Sequence, residues 1–433
     1  MSNLELLAIS YGFPPMAYPR SIQVARLLGN LDASITVVCG MEDQTYNPYG
    51  RDVTIASGIE GRLKRVIREP FHRPKLLRYI DAIAGRYLVS LSNLPDAQRG
   101  WVAHATKRFL KWQHGSGYEP DLVITFGFPM SDHFFGMEYK RRKGTVWIAH
   151  FSDPWVDNPY RPHNRPTAWL NRRLERQVIS KADAVIFTSP ETVDLVMRKY
   201  PDSWREKAFY LPHCYDSNVY DETLRPPDDR YVLRSIGTLY GNRSPKTLFK
   251  AIERVAHETP SLLENVSLEF IGFVGDANDV LKDYPAAQRI TKFFGMKPHA
   301  DALRLMRTSH CLLVIDAPAE LSVFFPSKLA EYIGAQRFIF ALSPEGATSR
   351  IVKEAGGLVS NPSSVDETFD RLTQVLKNRP DQLPCSTGKY NKEAVSEEFM
   401  RIVRTVMHRS AKEKAWQPGL YKGEARIEAD VED

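Results

Sequence analysis

Long apolar runs and a secretion signal are missing from this 433-residue sequence. No stretch of 18 or more consecutive apolar residues occurs, so no segment is predicted to span a bilayer as a helix. The N-terminus has neither a basic region nor a long apolar region, and it opens directly on a strand-like run, Leu4–Ile9. These absences predict a protein of the cytoplasm.

Cysteine is scarce, with four residues in the chain. Cys39, Cys214, Cys311 and Cys385 are far apart in sequence and share no metal-ligand spacing. Cys39 and Cys311 stand in apolar runs, where a reduced cysteine behaves as a small hydrophobic residue. We therefore expect structural cysteines in a reducing compartment, no metal site and no resident cofactor.

Apolar residues make up 43% of the chain and charged residues 25%, a balance typical of globular proteins. Short apolar runs, separated by helical patterns, predict parallel strands that are covered on both faces. These runs are Leu4–Ile9, Ile35–Val38, Leu122–Thr125, Thr145–His150, Ala184–Thr188, Val232–Ile236, Leu268–Ile271, Cys311–Ile315 and Phe338–Leu342. The alternation of strands and helices favours an α/β fold with doubly wound, Rossmann-like sheets.

The strand–helix pattern starts twice, and this sets the predicted domain boundaries. Residues 1–215 are predicted to form one Rossmann-like domain and residues 231–385 a second, joined by the polar, proline-containing linker 216–230. Residues 386–433 are predicted to form a helical segment and a tail, because Ser396–Arg409 has apolar positions at helical spacing. We expect this segment to pack back on the first domain.

Positive charge is concentrated in two places. Between Arg62 and Arg86 there are eight lysines or arginines and two acids, and Lys140–Lys143 is entirely basic. Such clusters attract anionic lipid, phosphorylated ligands or nucleic acid. No nucleic-acid motif accompanies the charge, so no nucleic-acid partner is expected. For the first cluster, peripheral contact with an anionic membrane and a solvated basic surface are both left open.

The predicted strand Thr145–His150 ends in a histidine. In open α/β sheets, ligands bind beyond the carboxyl ends of the strands, so His150 is expected to face a cleft between the domains. There it could donate a hydrogen bond to a ligand or stabilise developing charge. The alternative is a histidine whose hydrogen bonds are satisfied by the backbone at the strand end.

The loop after Val232–Ile236 has the features of a phosphate-binding turn. Gly237 and Thr238 let the backbone approach a phosphate closely, and Arg243 can bind two phosphate oxygens with its planar guanidinium. Ser244 is a plausible N-cap, with Pro245 at the first helical position. An ordinary capped strand–helix loop is an equally good interpretation of these residues alone.

Lys328 and Glu331 are three residues apart at the start of a predicted helix after Pro326. A lysine at a helix N-terminus opposes the helix dipole unless an anion is present, so its position favours a bound pyrophosphate. The carboxylate one turn further on could accept hydrogen bonds from ribose hydroxyls. The alternative is an i,i+3 ion pair between the two residues on the surface.

Several motifs stand in a fixed order along nearly the whole chain. They are Phe13–Pro15 with Arg20, Asp121–Ile124 with Phe128–Pro129, Trp147–Trp155, Ala182–Ile186 with Thr188–Ser189, Leu211–Asp216, Ile236–Tyr240, Phe294–Met296 and Pro326–Tyr332. This ordered set resembles the family 4 group of retaining glycosyltransferases, which share the two-domain GT-B fold. More narrowly, it resembles bacterial members that act in surface-polysaccharide synthesis.

The resemblance implies roles for individual residues. His150 matches the cleft histidine beside the transferred sugar, Arg243 and Lys328 match the basic pair on the donor pyrophosphate, and Glu331 matches the ribose-binding glutamate. The remaining donor residues assigned in this way are Gly237, Thr238, Gly295 and Met296. The residues assigned to the acceptor are Tyr18, Arg20, Asp153 and Trp155. The implied catalytic residues are His150, Arg243 and Lys328.

The sequence departs from the family pattern at two positions. Val323 stands where the first glutamate of the family's Glu-x7-Glu motif is expected, and Met16–Pro19 replaces the N-terminal Gly-Gly loop. The first departure bears on the contacts to the donor sugar, and the second on the approach to the acceptor or the donor phosphate.

The implied reaction moves a sugar from a nucleotide-diphosphate donor to a glycan or lipid-linked acceptor with retention at the anomeric carbon. An oxocarbenium-like transition state would be flanked by the departing diphosphate, whose charge Arg243 and Lys328 would stabilise. Two other classes of function remain open at this point: a catalytically silent GT-B subunit that supports a partner enzyme, and a nucleotide-sugar epimerase of the same architecture.

Overall fold

The computed structural model describes residues 4–16, 18–41, 63–70, 94–158, 165–385 and 387–416. Two parallel sheets, of seven and six strands, account for the described strands of the chain. Helices cover both faces of each sheet. The fold is therefore a pair of doubly wound α/β domains, as the sequence predicts.

The first sheet has the strand order β3-β2-β1-β4-β5-β6-β7, and every pairing in it is parallel. Its strands are Glu5–Ile9 (β1), Ser34–Met41 (β2), Leu63–Pro70 (β3), Leu122–Phe126 (β4), Val146–His150 (β5), Ala184–Phe187 (β6) and Ala208–Tyr210 (β7). The described helices around it are Pro19–Leu28 (α1), Arg99–Ser116 (α2), Asp132–Lys143 (α3), Arg165–Lys181 (α4), Pro190–Met197 (α5) and Asp202–Arg205 (α6).

The second sheet has the order β10-β9-β8-β11-β12-β13 and is also parallel. Its strands are Tyr231–Ile236 (β8), Val266–Ile271 (β9), Thr291–Phe293 (β10), Cys311–Ile315 (β11), Phe338–Leu342 (β12) and Leu358–Ser360 (β13). The helices that follow are Lys246–Glu258 (α7), Ala277–Leu281 (α8), Pro285–Ile290 (α9), His299–Arg307 (α10), Ser327–Gly334 (α11), Ala347–Glu354 (α12), Val365–Asn378 (α13) and Lys392–Trp416 (α14).

Each of the apolar runs singled out in the sequence forms a strand. Strands β3, β7, β10 and β13 were not predicted, and the reason is local. Three of them are three residues long, and β3 carries Lys64, Arg65 and Arg68, all exposed at the edge of the sheet. The signal of a continuous apolar run is therefore confined to the buried central strands.

The start of helix α7 corrects one prediction. The helix begins at Lys246 with Pro245 in the cap position, and the Ser244 hydroxyl accepts a hydrogen bond of 3.3 Å from the Lys246 N–H. The predicted N-cap, Ser244, therefore lies one residue before the observed cap, and Pro245 is not the first helical residue. Proline fits this position because it has no N–H to satisfy.

Helix α14 follows the second sheet in sequence but packs on the first domain. Its buried side chains Phe399, Ile402, Val403 and Val406 belong to the same apolar cluster as β1, β2 and α1. An isolated parallel bridge between Tyr215 and Asn391 joins the end of the first domain to the start of this helix. The chain thus crosses to the second domain after Tyr215 and returns before Lys392.

The two basic clusters have different surroundings. In the first, Leu63–Pro70 is strand β3, whereas Arg62 and residues 71–86 lie outside the described residues. The second lies in the last turn of α3, where positive charge is favourable to the helix dipole. Within it, Arg141 and Arg142 both bind Glu138, and Lys140 binds Asp183. This second cluster therefore has a structural explanation.

Candidate functional site

The carboxyl ends of the two sheets meet at one interface. Ser189, after β6, donates a hydrogen bond of 2.5 Å to the carbonyl oxygen of Val323, in the loop after β11. Thr192 donates a second, of 2.8 Å, to the same oxygen. A cleft between the domains is therefore bounded by the loops that follow the strands, which is where ligands bind in this class of sheet.

The second domain brings a compact group of charges to this edge. Lys328, in the first turn of α11, lies near Arg243, whose Nη2 is 3.5 Å from the Asp316 carboxylate. The Lys328 Nζ is buried and makes no hydrogen bond within the described part of the chain. Burial, together with repulsion from Arg243, lowers the pKa of Lys328 to about 8 although Asp316 opposes this. A cation held in this way is ready to receive an anion.

Three glycine-containing loops lie next to one another at this edge, and the first of them reaches Lys328. Gly237, at φ 122°, lies under Lys328, because a Cβ there would come within 3.5 Å of the lysine Cδ. The N–H of Gly272 donates to the Gly295 carbonyl at 2.7 Å, and a Cβ on Gly272 would approach the Gly237 carbonyl oxygen to 2.3 Å. Glycine is therefore required at Gly272, and the loops after β8, β9 and β10 form one continuous rim.

The residues next to these glycines are open to solvent. Gly237 is exposed and Thr238 is half-buried, while Met296 is 46% exposed beside Gly295 at φ 64°. Tyr240, Phe273 and Phe294 are likewise exposed on the same rim. Of the predicted donor residues, Gly237 therefore lies against Lys328, while Thr238, Gly295 and Met296 lie on the same rim of neighbouring loops.

Glu331 lies one turn further along α11, where its carboxylate is held between Arg26 and His299. Its Oε1 is 3.1 Å from Arg26 Nη2 and 2.8 Å from His299 Nε2. Burial opposes the charged carboxylate, but His299 and Arg26 outweigh it and lower the pKa of Glu331 to about 2. The alternative of an i,i+3 pair with Lys328 is therefore wrong, since Glu331 binds across the domain interface instead.

Val323 is buried, with 4% of its surface exposed. Its side chain brings no charge to the cleft, where the family pattern has a glutamate. Its carbonyl oxygen, in contrast, accepts the two hydrogen bonds from the first domain. The position therefore contributes to domain contact through its backbone.

His150 ends β5 and is held by Arg20 from helix α1. The Arg20 Nη2 is 3.1 Å from His150 Nδ1 and 3.3 Å from its carbonyl oxygen, and Nε donates to the Gly127 carbonyl at 2.9 Å. Burial and the nearby Arg20 charge move the pKa of His150 well below its usual value, so the ring is neutral. Arginine can only donate, so Nδ1 is the acceptor and the ring proton lies on Nε2.

A small cavity lies beside this pair. Arg20, Gln23, Phe126, His150 and His213 are among the residues that line it. His213 is also neutral, because burial and the charge of Arg20 lower its pKa to about 3. The described lining of the cavity thus offers neutral imidazoles and the Arg20 guanidinium, and neither histidine is protonated near neutral pH.

Three of the four predicted acceptor residues share a different, larger cavity in the first domain. Tyr18, Asp153 and Trp155 line it, whereas Arg20 lies behind the wall, in the His150 cavity. The Trp155 indole N–H donates to Asn171 at 2.9 Å, which fixes the ring. The sequence assigned all four residues to the acceptor, whereas in the structure three of them line this cavity and Arg20 lines the smaller one.

Four side chains of the site escaped the sequence analysis: Arg26, His213, His299 and Asp316. Asp316 had a local signal, since it directly follows the predicted strand Cys311–Ile315 at its carboxyl end. Arg26 had none, because its partner Glu331 is 305 residues away in sequence. His213 stands in the quoted motif Leu211–Asp216 without a role of its own.

The described residues contain no group of three or more histidine, cysteine, aspartate or glutamate side chains arranged to hold a metal ion. Among them, no helix combines the length and the apolar composition that crossing a membrane requires.

Comparison with known proteins relates both domains to one architecture. Residues 23–212 match the family model of the glycosyl transferase 4-like domain. None of the curated protein sequences compared with the chain is significantly similar to it. The similarity to solved structures extends over both domains.

Three of these structures illustrate the likeness. Sucrose-phosphate synthase from Thermosynechococcus elongatus is 15% identical, with a TM-score of 0.65 over 94% of this chain and 100% of the other. A UDP-forming α,α-trehalose-phosphate synthase from Burkholderia xenovorans, in complex with glucose-6-phosphate, is 13% identical, with a TM-score of 0.61 over 93% and 100%. A protein assigned as a UDP-N-acetylglucosamine 2-epimerase from Listeria monocytogenes is 12% identical, with a TM-score of 0.59 over 94% and 97%.

At these identities the structural likeness establishes the fold, and the family model adds the kind of domain. Residues 23–212 of this chain are similar to a glycosyl transferase 4-like domain, and the whole chain has the two-domain GT-B fold.

Proposed function

We propose that the protein is a glycosyltransferase that moves a sugar from a nucleotide-diphosphate sugar to a glycan or lipid-linked saccharide with retention. The observation that carries the proposal is Lys328, a buried ammonium with no hydrogen-bond partner among the described residues, which lies beside Arg243 and above Gly237. A pyrophosphate supplies the anion that this arrangement lacks. The neighbouring structures whose names include UDP support a nucleotide donor.

The roles follow from what each group can donate. Lys328 and Arg243 would neutralise the charge that builds on the departing diphosphate, which is the largest electrostatic contribution to such a step. Gly237 would bring backbone close to the phosphates. His150, neutral with its proton on Nε2, would donate a hydrogen bond to the transferred sugar and hold no formal charge. No metal enters this proposal.

Glu331 is proposed to bind the ribose, as the resemblance implies, while it also binds two side chains of the protein. Its carboxylate already binds Arg26 and His299, and ionised carboxylates accept several hydrogen bonds at once. We propose that it accepts a ribose hydroxyl in addition to these partners. Because Arg26 lies on helix α1, the same contact would couple occupancy of the donor site to the first domain.

The test is nucleotide release from a panel of nucleotide sugars, with and without saccharide acceptors. We expect turnover of one donor, loss of binding in Lys328→Ala, and loss of turnover with retained nucleotide binding in His150→Ala. Lys250→Ala, on the exposed side of α7, is the matched control and should keep both. A folded protein that binds no nucleotide and releases none from any donor would refute the proposal and favour a silent subunit, the alternative suggested by Val323.

The epimerase is the second candidate, favoured by the likeness to the Listeria protein. An epimerase converts one nucleotide sugar into another without a saccharide acceptor. Product analysis by mass spectrometry and NMR distinguishes the two, because a transferase product contains the acceptor and an isomerised donor does not.

We propose that the protein works in the cytoplasm and that its first basic cluster contacts the membrane surface. This proposal about cellular location rests on the sequence.

A further inference from the structure

Asp316 is an acid among the cations that are proposed to bind the donor phosphates. It directly follows β11, and 2% of its surface is exposed. Its Oδ1 lies 3.5 Å from Arg243 Nη2 and accepts no hydrogen bond within the described part of the chain. Its charge also acts on Lys328, where it favours the ammonium. Because a carboxylate repels the anion that these cations would receive, its place in the group calls for a functional reason.

The second sheet and its loops hold this carboxylate from behind. The Asp316 N–H donates to the Leu342 carbonyl at 2.9 Å, which extends the pairing of β11 with β12. The Ser343 hydroxyl donates to Oδ2 at 3.0 Å, and the Ser322 hydroxyl lies 3.4 Å from the same oxygen. Ser343 also reaches the Pro344 carbonyl at 3.1 Å, but a carboxylate beside cations is the stronger acceptor. Oδ2 is thus bound by the loops, while Oδ1 lies toward Arg243.

The loop that carries Ser322 is itself fixed. The Ser322 N–H donates to the Glu345 carbonyl at 2.8 Å, and its own carbonyl accepts a hydrogen bond of 2.7 Å from the Ala347 N–H. Gly346 has a φ of 129°, and a Cβ there would approach the Ser322 carbonyl oxygen to 2.1 Å, so this contact requires glycine. The loops after β11 and β12 therefore set the position of Asp316, independently of the cations.

The charges of the three side chains explain what a fixed carboxylate does here. Arg243 remains charged at any physiological pH, so it penalises a second cation beside it. Burial and the charge of Arg243 lower the pKa of Lys328, and Asp316 opposes both effects. Before an anion binds, Asp316 is thus the negative charge that makes two neighbouring cations tolerable. After an anion binds, the same carboxylate competes with it for them.

We propose that Asp316 is a positioning residue that stands in for the diphosphate: it holds Arg243 and supports the charge of Lys328 until the diphosphate binds, and it limits how tightly the diphosphate is then held. The inference rests on the proposed transferase function, because it concerns the same site. A nucleoside diphosphate carries more negative charge than its sugar ester, since one more phosphate oxygen is ionised. Repulsion from Asp316 therefore acts more strongly on the product than on the donor, and it favours product release.

The experiment compares Asp316→Asn and Asp316→Ala with the wild type as full-length proteins, after melting curves have shown that each is folded. Calorimetry with inorganic pyrophosphate and with UDP measures affinity from pH 6 to pH 9.5. At pH 6, where Lys328 is protonated in all of them, we expect both variants to bind about tenfold more tightly. The pH above which affinity falls should move down by about one pH unit, because Lys328 loses its supporting carboxylate. Asp370→Asn, which removes one exposed charge on α13, should change neither.

A second measurement reads Lys328 without any ligand. In protein with 13C-labelled lysine, the Lys328 signal is the one that Lys328→Met removes, and its titration gives the pKa of the side chain directly. That pKa should be about 8 in the wild type and lower in both Asp316 variants, because only the carboxylate opposes burial and Arg243. This titration decides the question even if neither probe binds.

Two results would overturn the inference: a pKa of Lys328 that both variants leave unchanged, or an affinity that both lower by the same factor at every pH, as loss of a merely structural residue would. Nucleotide release from donors is measured separately on the same samples. If the expected shifts appear but no donor is turned over, the transferase proposal fails while the role of Asp316 stands. If donors are turned over and the pKa of Lys328 does not move, this inference alone fails.

Discussion

Lys328 is a cation in surroundings that penalise its charge. Its pKa of about 8 lies below that of lysine in the unfolded chain, because burial and Arg243 disfavour the ammonium. A bound diphosphate reverses this balance and favours the protonated form. Binding of a nucleoside diphosphate should therefore couple to the protonation of this one side chain.

This coupling gives a pH dependence of known sign. Affinity for nucleoside diphosphate should fall as pH rises above about 8, by at most about tenfold per pH unit, and binding above that pH should take up a proton. Calorimetry in buffers of different ionisation enthalpy measures both effects. Lys328→Met should bind weakly at all pH values and lose the proton uptake, whereas Lys250→Met should behave as the wild type. A pH-independent affinity between pH 7 and 9.5 would contradict the assignment.

Asp132 is a second titratable group whose state is set by burial. Its Oδ2 accepts a hydrogen bond of 2.7 Å from the Tyr11 N–H, while Oδ1 has no hydrogen-bond partner among the described residues. Burial raises the pKa of Asp132 well above its usual value, with Asp96 adding to the effect and Arg20 opposing it. The folded protein therefore retains a proton that the unfolded chain releases near pH 4.

The sign of the stability change follows from this retained proton. A carboxyl with a raised pKa stabilises the fold below its unfolded value, and this contribution is lost as pH rises toward the folded pKa of Asp132. Asn is isosteric with the protonated acid, so Asp132→Asn should gain stability relative to wild type between pH 5 and pH 8. Thermal melting at both pH values measures this, with Asp370→Asn as control. A stability difference that is equal at pH 5 and pH 8 would show that Asp132 is ionised in the fold.

At the scale of elements, helix α14 is part of the first domain although it is the last helix of the chain. Phe399 is fully buried in the cluster formed by β1, β2 and α1. Phe399→Ala should lower the free energy of unfolding by about 3–5 kcal/mol, the usual cost of deleting a buried aromatic side chain. Urea denaturation measures the loss, which should appear in the transition of the first domain.

Arg404→Ala is the matched control for this helix. Arg404 is exposed on α14, and its replacement should change stability by less than about 0.5 kcal/mol. An effect of Phe399→Ala as small as that of the control would mean that α14 does not complete the core.

A fragment of residues 1–215 should be unstable unless α14 is supplied, because the apolar residues of the first domain that α14 covers would be exposed to water.

At the scale of the whole molecule, the two domains are held by contacts between residues far apart in sequence. Arg26 binds Glu331, Arg350 binds Glu191 at 2.8 Å, and Val323 accepts hydrogen bonds from the loop after β6. Both members of the first pair are buried, with side-chain exposures of 8% and 13%. The pair therefore connects the predicted ribose-binding residue directly to helix α1 of the first domain.

Removing one member of a buried ion pair leaves the other charge uncompensated. Arg26→Met should destabilise the protein by up to about 3–5 kcal/mol, less whatever His299 retains for Glu331. The double variant Arg26→Met/Glu331→Gln should recover part of this loss, because it removes the stranded carboxylate. Denaturation of the three variants forms a double-mutant cycle. Purely additive losses would show that the two side chains do not interact in solution.

Most strands of the fold could be predicted from the sequence, and the strands that were missed share a physical reason. Strand β11 has the bounds that the sequence predicts, Cys311–Ile315, because it is a continuous apolar run between polar segments. Strand β3 was missed because three of its eight residues are Lys or Arg and it lies at the sheet edge. Among the site residues, Lys328 and Arg243 follow strands whose ends could be located, so their proximity was foreseeable. The roles assigned to them remain predictions.

The order of strands and helices, the two parallel sheets and the loops that carry Gly237, Arg243 and Lys328 could all be predicted from local patterns of apolar and glycine residues. The interaction partners of the site residues could not, because they depend on the packing of the two domains. The tertiary structure placed Glu331 against Arg26, 305 residues away, rather than against Lys328 three residues away. It also buried Lys328 with no hydrogen bond to any residue in the described part of the chain, and it separated Arg20 from the cavity lined by Asp153. Such pairings depend on how two domains meet, which no local pattern encodes.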